Sequence, residues 1–257
     1  AEAESIDRIL DRYEPEGAPP DRPAVVLIHG GGFTGGTRTK PELVDFAYYF
    51  VSRGWVAISI DYRVAEDRGT VPSSWVETVQ AEVELEDQEQ ALAMYPAARD
   101  AKAALRWLHA EADRLQVDTH RISAIGGSAG SYLALMLGTS EEGDFRDELS
   151  LEEDPSLSST HLDHPSVVHT VIDHWGGAGH LLLLEAMDDD SRFDATDAPV
   201  SIVHGTADRT VDVSEAELIA EEYEKTGVPY DFHSLDGVDH GAWEVRVDGL
   251  ALPELAH

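Results

Sequence analysis

Short apolar runs bounded by turn residues recur along this chain, and between them apolar residues return at helical spacing. Ala24-Val25-Val26-Leu27-Ile28 reads as a strand buried on both faces, since it lacks the apolar–polar alternation of a half-exposed one. Further strands are predicted over Trp55–Asp61, Arg121–Ile125, Val167–Ile172, Val200–His204 and Tyr230–Leu235. An edge strand is predicted over 5–13, and a rigid loop from Pro15 to Pro23. Helices are expected over 41–52, where Pro41 suits a first turn, over 97–114, directly after Ser128, and over 213–226. In the 97–114 segment Ala101, Ala104, Leu105 and Leu108 share one face.

Strands alternating with helices in this way predict an α/β fold: a mostly parallel sheet covered on both faces, in one domain over 1–257. Two segments stand outside the alternation, 66–95 and 140–166, and are expected as short insertions that serve as lids or pocket walls, or as solvated excursions. The acidic run Glu82–Glu89 reads as a solvent-facing helix.

Chemistry concentrates at strand ends. Gly126-Gly127-Ser128-Ala129-Gly130 joins an apolar run to a helical one, and a strand turning that sharply needs small residues beside a serine left exposed at the tip. Upstream, the 24–28 strand runs into His29-Gly30-Gly31-Gly32-Phe33, whose glycines let backbone N–H groups approach a ligand. Downstream, Asp208 follows one strand and His240 another, so the order along the chain is serine, acid, histidine.

With each member on a loop after a strand, the chain resembles the α/β-hydrolase superfamily. More narrowly it resembles the HGGG-type carboxylesterases, including hormone-sensitive-lipase-like enzymes and small bacterial feruloyl or acetyl-xylan esterases. The likeness runs from about Ile6 to Trp243. It implies Ser128 as nucleophile, His240 as general base and then acid, and Asp208 as the group that orients the imidazole. Backbone N–H groups of Gly31, Gly32 and Ala129 are the candidate oxyanion donors, and His29 shapes their loop. The implied activity is hydrolysis of carboxylic esters with small to medium acyl groups, without a cofactor. Feruloyl or acetyl-xylan ester hydrolysis is the alternative, and an inactive hydrolase-fold binding module is the alternative from another class.

Rival residues are weaker by position. Asp212, Asp236 and Asp239 flank the motifs without following a strand end as Asp208 does, and His233 lies inside a strand. Phe33, Trp175 and Trp243 adjoin the motifs and are candidates to line a substrate pocket or to fill the core; Tyr132 is expected to pack under the helix after Ser128. Gly30, Gly35 and Thr37 have phosphate-loop spacing, but position 36 is glycine where that motif needs lysine. Histidines 161, 164, 169, 174 and 180 have mixed spacings without a clear ligand set, so no metal is expected. Asp188-Asp189-Asp190 lacks the glycine and terminal glutamate of a calcium loop and reads as an acidic helix end.

Composition narrows the partners. The 257 residues carry 18 Lys and Arg against 51 Asp and Glu, a net charge of −33 that disfavours nucleic acid and anionic membranes. Lysine occurs only at 40, 102 and 225, and the balance resembles that of proteins from salt-adapted organisms. No run is long enough to span a membrane, so the expected partner is a small-molecule ester. The absence of cysteine excludes disulfides and a thiolate nucleophile. A first residue of Ala1 reads as leader removal or trimming, which favours a secreted or periplasmic location over the cytoplasm.

Overall fold

The computed structural model describes residues 10–17, 20–67, 69–146 and 150–257. Seven strands form one sheet: β1 (Leu10–Tyr13), β2 (Arg22–Ile28), β3 (Val56–Ile60), β4 (Val117–Gly127), β5 (Thr170–His174), β6 (Val200–Gly205) and β7 (Tyr230–Leu235). Their order across the sheet is β1-β3-β2-β4-β5-β6-β7, parallel throughout except for β1 against β3. A small ribbon of β8 (Arg246–Val247) and β9 (Leu250–Ala251) precedes the last helix. This is the α/β-hydrolase fold.

Alternation along the strands sorts side chains into two cores. Val26 and Ile28 of β2 and Ile58 and Ile60 of β3 face a large core with α2 (Ser73–Glu82), α3 (Gln88–Ala110), α4 (Ala112–Leu115), α5 (Ala129–Thr139), α6 (Gly179–Asp188) and α7 (Val213–Thr226). Val25, Leu27 and Ala57 face the other way, onto α1 (Pro41–Val51) and α8 (Leu252–Leu255). Both faces being covered, the strands carry near-continuous apolar runs.

Several boundaries differ from the sequence reading. Of the 5–13 edge strand, residues 10–13 are β1 and the rest lie outside the described residues. The strand expected at 167–172 is observed as β5 at Thr170–His174, because its last two residues, Asp173 and His174, are polar yet wholly buried. The helix expected from 97 starts at Gln88 and passes through Pro96. Packing offsets the proline: Tyr95 is buried with Trp75 and Phe145, at ring centroids of 5.4 and 5.1 Å. The acidic run Glu82–Glu89 is not one helix. It is the end of α2, an exposed turn, and the start of α3, broken where Val83 turns extended at φ −112°, ψ 135°.

The 140–166 segment is bound to α3 through cations one turn apart. Arg99 Nη1 donates to Asp154 at 2.6 Å, the Lys102 ammonium donates to the carbonyls of Glu141 and Asp144, and Arg106 Nε donates to Thr160 O at 2.7 Å. All three are buried.

Candidate active site

The turn from β4 to α5 is made by Ser128 alone, at φ 58° and ψ −128°. For a residue with a side chain that conformation costs roughly 1–3 kcal/mol, and the surroundings hold it in place. Ser128 N–H donates to His174 O of β5 at 2.9 Å, and Ser128 O accepts from Ser131 N at 2.8 Å. The flanking glycines are steric requirements. A Cβ on Gly126 would stand 2.0 Å from Gly130 O, and one on Gly130 would stand 2.2 Å from Ile28 O. Ser128 is the one residue from Ile122 to Ser131 that is not buried.

The loop after β2 lies against this turn. A Cβ on Gly30 would meet Gly127 O at 2.5 Å and Ser128 Cβ at 3.2 Å. Gly31 has φ 136°, and a Cβ there would sit 2.1 Å from Gly35 O. His29 is buried: its ring stacks on Tyr62 at 4.2 Å, and its Nδ1 lies 2.9 Å from Gly30 O, so Nδ1 carries the proton. Burial lowers its pKa. Ala129, the first residue of α5, has an N–H with no acceptor inside the helix.

Asp208 sits in the loop after β6 and His240 in the loop after β7. His240 Nδ1 is 2.7 Å from Asp208 Oδ2, while Asp208 Oδ1 accepts the N–H groups of Thr210 and Val211 at 2.8 and 2.9 Å. A carboxylate only accepts, so the shared proton is on Nδ1 and the Nε2 lone pair is left for another donor. Burial raises the Asp208 pKa, but the bonds from Val211, His240 and Thr210 outweigh it and hold the group below its ordinary value. The two loops are also tied by Asp239. It accepts from Arg209 N and from the Arg209 guanidinium, and it caps His240 N at 2.9 Å. Chiefly because of Arg209, its pKa is pushed down to about 2.

The three aromatics occupy different places. Trp175, at φ 45° and 2% exposed, packs edge-on to Trp243 at 4.9 Å and faces the His240 ring at 6.4 Å. Half-buried Trp243 covers Gly127, whose Cβ would come within 2.6 Å of its ring. Phe33 is buried among Tyr62, Tyr132 and His180. Gln90, not singled out in the sequence, brings its Nε2 within 3.1 Å of where a Gly32 Cβ would be. His174 and His180 are buried apart, and the described residues contain no group of three His, Asp or Glu able to hold a metal ion. None of the described helices is long and apolar enough to cross a membrane.

The BD-FAE family model matches this chain over residues 10–85 and 78–192, more than half its length. The chain belongs to the BD-FAE family. It is similar to esterase LipC of Mycobacterium tuberculosis, 28% identical over 143 residues, which are 54% of this chain but only 29% of that protein. Among solved structures it is similar to Thermogutta terrifontis esterase 2 phosphorylated by paraoxon, with TM-score 0.71 and 28% identity over 98% of this chain and 88% of that one. The propionate-bound form of that esterase matches with TM-score 0.70 and 27% identity over 100% and 89%. The butyrate-bound form gives TM-score 0.71 and 25% identity over the same shares. These relatives of the BD-FAE chain are esterases.

Proposed function

We propose that this chain is a serine carboxylic-ester hydrolase working through an acyl-enzyme. Ser128 attacks the ester carbonyl, His240 Nε2 accepts its proton, and Asp208 fixes the tautomer and stabilises the imidazolium. The N–H groups of Gly31, Gly32 and Ala129 receive the oxyanion of the tetrahedral intermediate; losing one such donor typically costs about 3 kcal/mol of barrier. His240 returns the proton to the leaving alkoxide, and water then attacks the acyl-enzyme with His240 again as base. The observation that carries this reading is the 2.7 Å contact of His240 Nδ1 with Asp208 Oδ2, which leaves Nε2 as the base.

The propionate-bound and butyrate-bound forms of the Thermogutta esterase support short acyl groups as the substrate class here. The charge of −33 argues against nucleic-acid partners and fits the protein to work at high ionic strength. In a series of p-nitrophenyl esters from acetate to palmitate, with methyl ferulate alongside, turnover should peak at short chains. A preference for the ferulate ester would replace that substrate class with an aryl acid. Ser128→Ala should lower kcat by at least about 10³-fold, and a fluorophosphonate probe should label Ser128. Undiminished turnover in that variant, or labelling at another serine, would remove Ser128 from the mechanism. A wild-type protein without turnover on every ester would favour a binding role.

A further inference from the structure

Behind the Asp208–His240 pair lies a second imidazole that the mechanism above does not use. His204 is the next-to-last residue of β6, wholly buried, four residues before Asp208. Its Nε2 is 2.9 Å from Val211 O and 3.4 Å from Asp208 Oδ2, the same oxygen that faces His240. A carbonyl oxygen can only accept, so Nε2 bears a proton. Asp208 Oδ2 stands 3.4 Å from this Nε2, whose N–H bonds Val211 O, a close electrostatic contact beside that hydrogen bond, in a buried place where solvent does not compete.

The loop after β6 meets this ring at Asp208 and Val211. Val211 contributes its N–H to Asp208 Oδ1 and its carbonyl to His204, so one residue ties the carboxylate and the second imidazole together. Thr206 N and Ala207 N anchor the loop to Leu235 O and Val238 O on the side that carries His240. Oδ1 thus accepts two backbone N–H groups and Oδ2 accepts from His240 with His204 Nε2 at 3.4 Å beside it, so rotation of the carboxylate would break contacts on both oxygens.

Resting on the ester-hydrolase reading, we infer that His204 is a positioning residue: its Nε2–H, fixed by Val211 O, holds Asp208 Oδ2 in line with His240 Nδ1. Gln can offer an amide N–H near the position of Nε2, whereas Met fills a similar volume with no donor. His204→Met should lower kcat about tenfold with KM nearly unchanged, as expected when the base is less well oriented in the transition state. His204→Gln should recover most of that loss. Equal losses in the two variants, or a methionine variant with wild-type kcat, would overturn the inference.

If the methionine variant does not fold, the wild-type protein still decides the matter. Long-range ¹H–¹⁵N correlation spectra should find His204 in the Nε2–H form, and an Nδ1–H ring would overturn the proposal. Ser128→Ala runs in parallel. Full turnover in Ser128→Ala removes the serine mechanism on which the inference rests, whereas its loss beside an unaffected His204→Met removes the role of His204 alone.

Discussion

Gly127 occupies the variable position before Ser128, and its lack of a side chain has a cause outside its own turn. The Trp243 ring lies where its Cβ would be, 2.6 Å from Cζ2 and 2.7 Å from Cη2, and Trp243 is three residues after His240. Gly127→Ala should therefore push the histidine loop off the elbow rather than strain the local backbone. Misplacing a reacting group by about 1 Å costs on the order of 10²-fold in rate, so kcat should fall by about 10- to 100-fold. Phenylalanine lacks those outer ring atoms, and adding Trp243→Phe should recover part of the activity. A double-mutant cycle checks this: additive losses would mean that the ring contact does not place the loop.

At the scale of elements, α3 clamps the 140–166 segment with buried cations. Arg99 is bonded to Asp154 and to Thr70, while Arg63 makes a bidentate pair with Asp100 and lies 3.7 Å from Asp154. Removing one member leaves a buried charge short of its partner. Arg99→Met should destabilise the fold by about 3 kcal/mol, whereas Arg99→Met with Asp154→Leu should cost less than the single change. Denaturant melts of the two variants provide the comparison; a double variant no more stable than the single would contradict the charge argument. This clamp was not legible in the sequence. Arg99, Lys102 and Arg106 sit one turn apart on the side of α3 away from Ala101, Leu105 and Leu108 and are buried all the same, yet charged residues on an amphipathic helix read as its wet side. The same blindness to buried polar groups misplaced β5, because Asp173 and His174 end its buried run. What the sequence did expose was the strand–turn–helix at Ser128 and the strands β2, β6 and β7. Their runs give way to His29-Gly30, Gly205 and Asp236, and Gly31, Asp208 and His240 follow those strand ends. His204 escaped notice because it lies inside a strand run, where a histidine reads as core.

For the molecule as a whole, charge and buried histidine make opposing demands on pH. His174 and His180 are pushed down to about 3 by burial, and burial also lowers His29, His109 and His169. In the unfolded chain these rings take up protons below about 6.5, so their contribution is complete above that pH and is lost as pH falls toward the folded values. Burial also raises Asp173, and pushes Asp197 up to about 7. Those carboxyls stabilise the fold at low pH and lose that effect as pH rises above about 4, a loss that for Asp197 runs through about 7. Five imidazoles against two carboxyls leave net proton uptake on unfolding, worth about 1.4 kcal/mol per pH unit for each proton. Acidification, however, also discharges a chain of −33 and relieves its self-repulsion, which masks the histidines in dilute buffer. Salt separates the two effects. Screening shortens from about 10 Å at 0.1 M to about 3 Å at 1 M, so at pH 7.5 the melting temperature should rise with NaCl up to 2 M, and a flat or falling curve would count against adaptation to salt. In 2 M NaCl, with repulsion screened, the melting temperature should then fall between pH 6.5 and 5. A rise across that interval would mean that the buried carboxyls, not the histidines, govern stability in acid.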